Sequence, residues 1–148
     1  MSRLVRWTSA LLIICWVLSC QQNALQDDAG LPYLRDSSSY TEVHWIDSIV
    51  SFGEVVQGKQ LHIPFRYRNT GSKPLYLSNV RAACGCTVPE YTQGAVAPGD
   101  TGVVIAAFDT RLAATGNVRK IMSVFTNTRG NRRHTLIFTG QIREAVDR

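Results

Sequence analysis

From Val43 onward, apolar and polar side chains take turns along the chain. Between Lys59 and Arg68, Leu61, Ile63, Phe65 and Tyr67 are separated by His62, Pro64, Arg66 and Arg68. A period of two places successive side chains on opposite faces of a strand, one toward a core and one toward water. Pro64 has no amide to donate, so this strand is expected at a sheet edge or with a local bulge. Asn69-Thr70-Gly71-Ser72-Lys73-Pro74 reads as a turn in which Gly71 is free to adopt a positive φ, and Leu75 and Leu77 start the next strand. After the turn Ala97-Pro98-Gly99-Asp100, Val104, Ala106 and Phe108 are expected to face inward. From Arg119 to Asn127, Met122 and Val124 alternate with Ile121, Ser123 and Phe125; apolar residues on both faces predict a strand inside a sheet. Asn131 to Arg133 forms a basic turn. The last strand, His134 to Ile142, sets Leu136, Phe138 and Ile142 on one face, where Gly140 admits a large neighbour.

Strands thus recur with turn residues between them, and no long amphipathic period follows the first twenty residues. This pattern predicts an all-β sandwich or barrel of about seven strands, forming a single domain; the expected boundaries are residues 43–148. Gln21 to Glu42 is polar, holds Gly30, Pro32 and a serine triplet, and keeps no period. It is expected to be a flexible linker. Before it, Arg3 and Arg6 precede an apolar run from Trp7 to Ser19. Such a helix would rise about 20 Å, short of a bilayer core of roughly 30 Å. A basic start followed by a short apolar stretch predicts a signal peptide over residues 1–19.

Charge and composition narrow the function classes. Hydrophobic residues make up 45% of the chain, enough for a packed core, and the formal net charge is +5. Loss of Arg3 and Arg6 with the leader leaves 14 basic and 11 acidic residues, a mild excess of +3. Without stacked-aromatic or finger-type spacings, this balance predicts no nucleic-acid partner.

Of the four cysteines, Cys15 falls in the leader, Cys20 directly follows it, and Cys84 and Cys86 belong to the domain. Cys84-Gly85-Cys86 admits three chemistries. It can close a small, easily reduced disulfide, hold a soft ion such as Cu(I), or stay as two packed thiols. Zinc is disfavoured because its structural sites use four ligands. His44, His62 and His134 are dispersed, as are Asp47, Asp100 and Asp109. Phosphate-loop, nucleophile-elbow and paired-histidine motifs do not occur. No catalytic residue, cofactor site or metal site is therefore assigned, and no enzyme is expected. Asn69 and Asn127 are read as bonding loop backbone. Arg119-Lys120 and Arg132-Arg133 are read as solvated charges able, on one rim, to attract acidic glycans or headgroups.

Two resemblances add to this. Val17-Leu18-Ser19-Cys20 resembles the lipobox of bacterial lipoproteins, which implies that Cys20 becomes the acylated N-terminus. Ser51-Phe52-Gly53-Glu54-Val55-Val56-Gln57-Gly58, Asn69-Thr70-Gly71, Lys73-Pro74-Leu75 and Ala83-Cys84-Gly85-Cys86-Thr87-Val88-Pro89 resemble, in order, elements of the bacterial domain of unknown function 1573 family. The resemblance implies an immunoglobulin-like, hydin-like sandwich of a kind common in exported Bacteroidetes lipoproteins. The expectation is an exported lipoprotein in the cell envelope, lipid-anchored and facing the periplasm or the cell surface. It would carry a non-enzymatic binding or assembly module. Its partners would be the membrane, through the lipid, and an envelope protein or glycan. The alternative is a periplasmic thiol-redox or copper-handling protein using Cys84 and Cys86.

Overall fold

The computed structural model describes residues 36–145. The expected signal peptide and Cys20 lie outside them. Eight strands run in chain order: β1 (Val43–Trp45), β2 (Ile49–Val56), β3 (Gln60–Asn69), β4 (Leu77–Ala82), β5 (Thr87–Tyr91), β6 (Thr101–Asp109), β7 (Gly116–Thr126) and β8 (Arg133–Arg143). They form two four-stranded sheets, β1-β3-β6-β5 and β2-β8-β7-β4, facing each other as an immunoglobulin-like sandwich. The expected count was about seven; the first strand is split. Its first part pairs antiparallel with β3, and its second crosses to the other sheet and pairs parallel with β8.

Alternation builds the core. Ile63, Phe65 and Tyr67 of β3, Val104, Ala106 and Phe108 of β6, and Met122, Val124, Leu136, Phe138 and Ile142 of β7 and β8 are all buried. Phe52, Phe108 and Phe138 meet as tilted rings with centroids 5.2 to 6.3 Å apart, in the range where aromatic edges and faces attract. Gly140 makes this cluster fit: a Cβ there would strike the Phe52 ring. The large neighbour expected beside Gly140 is Phe52. As expected, β7 is an interior strand.

Pro64 follows the edge rule in an unexpected way, because β3 formally lies inside its sheet. Arg66 O accepts from Ile46 N at 2.9 Å, so even-numbered residues of β3 direct their backbone toward β1. The β1 pairing covers only Tyr67 to Asn69, and Pro64 lies beyond it, where no donor is needed. Pro89 does the same on β5. Asp109 N donates to Cys86 O and Thr92 N to Val103 O, so Pro89 presents its missing donor to the open edge. Both sides of this sheet are thereby blunted against pairing with a foreign strand.

The passage between sheets is held by two fully buried amides. Asn69 Nδ2 donates to Lys73 O (2.7 Å) and Val96 O (2.9 Å), and its Oδ1 accepts from Gly71 N and Thr41 Oγ1. Asn127 Nδ2 donates to Pro74 O and Ser39 O, and its Oδ1 accepts from Tyr76 N at 2.8 Å. Both asparagines thus bond loop backbone, as expected. Gly71 does not use its freedom to adopt a positive φ. It is required for space, as a Cβ would collide with Thr41 Oγ1 and Glu42 N. The segment expected to be linker up to Glu42 is docked in its described part. Thr41 is 2% exposed, Thr41 N donates to Asn127 O, and Asp36 caps a short 3-10 turn over Ser37–Ser39.

Removing the Asn127 side chain would take away the acceptor of Tyr76 N and the donor to Pro74 O and Ser39 O in partly buried surroundings. Asn127→Ala is expected to lower unfolding free energy by roughly 2 to 4 kcal/mol in urea titration. A loss under about 0.5 kcal/mol, the usual range for surface changes, would contradict this role.

Candidate interaction face

Sheet β2-β8-β7-β4 turns one face to solvent, and strand register determines what it presents. Ile49 stands opposite Ile137, Ile137 opposite Ile121, and Ala83 N donates to Ile121 O at 3.1 Å. An apolar row, Ile49–Ile137–Ile121–Ala83, therefore crosses the whole sheet. Ile49 is 68% and Ile121 36% exposed, and Ile137 is half-buried. The neighbouring row toward the chain turns is Thr135–Ser123–Arg81, followed by Arg133–Phe125–Asn79. On the other side lies Ser51–Thr139–Arg119. Successive rows are about 7 Å apart, so Arg81 and Arg119 flank the isoleucines closely.

Arg133 is held in place by donating to Ser123 Oγ (Nη2 at 3.0 Å) and by stacking over the Phe125 ring at 5.8 Å. Near the β4 edge the face is hollowed into a shallow concavity of about 440 Å³, lined by Arg81, Ala82, Ala83, Ile121, Ser123, Phe125 and Arg133. Glu54 is the one acid among the outward positions of the four strands, and Arg143 pairs with it at 2.6 Å.

Cys84 and Cys86 lie just beyond this concavity, where the chain leaves β4 for β5. They are joined as a disulfide with Cα atoms 5.4 Å apart. Cys86 is buried, and Thr87 N closes the turn onto Cys84 O at 3.4 Å. Each sulfur is bonded to the other, and among the described residues no group of three His, Cys, Asp or Glu side chains converges. The copper alternative thus finds no ligand set there. The candidate acids are separated. Asp47 pairs with Arg66, and Asp109 pairs with Arg111 while capping a short turn. Asp100 sits in the turn before β6.

Comparison with known proteins places this geometry. Residues 43–142 match the family described as "Protein of unknown function (DUF1573)". The chain belongs to this family. No curated relative matches it. Among solved structures, the DUF1573 domain is similar to a protein of unknown function from Porphyromonas gingivalis W83, with TM-score 0.64 and 14% identity. That match covers 72% of this chain and 49% of the other, so this chain spans about half its length. It is also similar to the ASH / PapD-like domain 7 of human CEP192, with TM-score 0.52, 15% identity, and 73% and 89% coverage. The periplasmic chaperone SfaE gives TM-score 0.52, 10% identity, and 72% and 61% coverage. At such identities these likenesses describe fold alone.

Within the DUF1573 domain, the motif residues quoted above have structural work. Asn69 and Gly71 tie the inter-sheet turn, Phe52 fills the space at Gly140, and Cys84 and Cys86 close the β4–β5 turn. The basic pairs do not converge on one rim; Arg119 and Arg133 stand on opposite sides of the isoleucine row. The row itself was missed by sequence reasoning. Ile121 and Phe125 signalled an interior strand, but their neighbours are set by pairings distant in sequence.

His134 follows Arg133 on β8 and stands opposite Val124, its Nε2 3.0 Å from Thr126 Oγ1 and 3.1 Å from Thr128 Oγ1. Burial pushes its pKa below the ordinary 6.5. The unfolded chain then takes up the proton first as pH falls. The stabilising contribution is complete above 6.5 and is lost as pH drops through that value toward the lower folded pKa. Urea titrations across this range are expected to show declining stability that flattens in His134→Gln. An imidazole titrating above 6.5 by NMR would contradict the assignment.

A second expectation concerns the thiols. Alkylation of the unreduced, denatured chain, mapped by mass spectrometry, is expected to leave Cys84 and Cys86 unmodified until reductant is added. A ring this local constrains the unfolded chain little, so Cys84→Ser with Cys86→Ser is expected to keep the fold. Labelling of both thiols without reductant would contradict the bond.

Proposed function

We propose that this DUF1573 protein is exported, anchored to a membrane of the cell envelope by lipid on Cys20, and works there as a non-enzymatic binding or assembly module. It would face the periplasm or the cell surface. The observation that carries the reading is the outward face of β2-β8-β7-β4. An apolar row crosses it, arginines flank that row, and a rigid two-sheet core supports it. Exposed apolar surface rimmed by polar groups is the usual mark of a partner site. The periplasmic chaperone SfaE has a similar fold, which is compatible with this reading. The lipid supplies the address: each buried methylene contributes about 0.8 kcal/mol, and several acyl chains make attachment durable.

Two measurements test this. Metabolic labelling with an alkyne fatty acid is expected to tag the wild-type chain in the membrane fraction, and Cys20→Ser is expected to abolish the tag. Labelling that persists in Cys20→Ser would overturn the anchor. In the second, the tagged full chain is crosslinked in living cells beside an Ile121→Asp/Ile137→Asp variant whose melting is checked. A particular envelope protein or glycan is expected to be enriched by wild type and reduced at least about tenfold by the variant. Equal enrichment by both would place binding away from this face.

A further inference from the structure

We infer that the face binds an extended segment of a partner protein in which apolar side chains alternate with carboxylates, laid along β4. This rests on the binding-module reading and names the chemistry of its partner.

Charge is the first argument. Arg81, Arg119 and Arg133 surround the isoleucine row, and the face's one acid, Glu54, is already paired with Arg143. The described ion pairs Asp47–Arg66, Asp109–Arg111 and Glu54–Arg143 involve none of these three cations. A segment carrying Asp or Glu on either side of apolar residues would complement both the row and its flanks. A second copy of this face would set arginine against arginine.

Edge geometry is the second argument, and it selects an extended segment. β4 ends its sheet, hydrogen-bonded to β7, while β5 of the facing sheet passes near it. Since Ala83 N bonds Ile121 O, alternation directs the N–H and C=O groups of Val80 and Ala82 away from β7, toward the open edge. The other edges are guarded: Pro64 and Pro89 blunt one sheet, and β2 has a register shift between Ser51 and Glu54 around Gly53 at φ 73°. β4 has its own register shift between Leu77 and Asn79, and beyond it, from Asn79 to Ala82, the strand runs regularly and without proline. An added strand would gain backbone hydrogen bonds at this edge, and its alternate side chains would reach the hollow beside it.

Shape is the third argument. The surface between Arg81, Ile121, Phe125 and Arg133 is concave, about 440 Å³. A hollow accepts side chains projecting from a partner, whereas a bilayer surface calls for apolar groups that protrude. The disulfide at Cys84 and Cys86 holds the end of this edge, so the site is presented without first having to order.

The test uses the full chain in phosphatidylcholine nanodiscs and three fluorescent peptides. They share alternate apolar positions and carry Asp/Glu, Lys or Ser between them. Anisotropy is expected to give at least about tenfold tighter binding of the acidic peptide than of the basic one, weakening with salt. Arg81→Glu with Arg133→Glu is expected to reverse that preference. Amide exchange at Val80 and Ala82 is expected to slow on binding. Equal binding of the three peptides, or no binding of any, would overturn the inference. So would displacement of the acidic peptide by phosphatidylglycerol vesicles but not by phosphatidylcholine vesicles, which would make the occupant an anionic membrane. If peptide preference fails while Ile121→Asp/Ile137→Asp still loses its crosslinked partner, only the partner's chemistry is wrong. If both fail, the binding-module reading falls with it.

Discussion

Two buried amides hold the place where this chain passes from one sheet to the other. Asn69 takes up Lys73 O and Val96 O, and Asn127 takes up Pro74 O and Tyr76 N. Without these bonds the inter-sheet turn would lose its partners for one buried carbonyl, Val96 O, and for several partly buried backbone groups, and a buried group left unpaired costs about 1–3 kcal/mol. With them the turn has one conformation, and β4 starts at a fixed height. That height sets its register on β7, Arg81 against Ser123 and Ala82 against Met122. A slip of one residue would turn Arg81 into the core and Val80 to water. The outward face therefore depends on polar groups far from its surface.

Much of the fold was legible because strand period is a local property. Ile63, Phe65 and Tyr67, or Leu136, Phe138 and Ile142, declare their inward face without reference to any partner. The space at Gly140 was legible for the same reason, although the Phe52 that fills it was not. What escaped was set by long-range pairing. Ile49 meets Ile137 only because the split first strand joins β8 in parallel, and no local pattern reports that crossing. The space that Gly71 leaves also escaped, since its crowding comes from Thr41, in a segment that composition marks as linker. Polar Thr41 and Ser39 are bound by the two amides through single hydrogen bonds, which leave no period behind.

The same division separates scaffold from site. Cys84-Gly85-Cys86 was the most specific local motif and invited redox or copper chemistry. In the structure it joins two sulfurs at the turn that ends β4, beside the concavity rather than within its lining. The working surface is instead made of ordinary residues, isoleucines and arginines, that gain meaning by standing in adjacent rows. Proline stands on β5 and on the part of β3 beyond β1, β2 and β4 each carry a register shift, and past its shift β4 leaves regular backbone from Asn79 to Ala82. Evenly distributed protection of this kind limits unwanted pairing while leaving one strand able to accept a neighbour.

The central claim, that this protein works through the outward face of β2-β8-β7-β4, is tested most directly by hydroxyl-radical footprinting in the intact envelope against the purified chain. Phe125, Ile121 and Ile137 are expected to oxidise more slowly in the envelope, while Val88 and Leu112, exposed elsewhere on the domain, oxidise at equal rates in both. Equal oxidation of Phe125, Ile121 and Ile137 in the two settings would contradict the account.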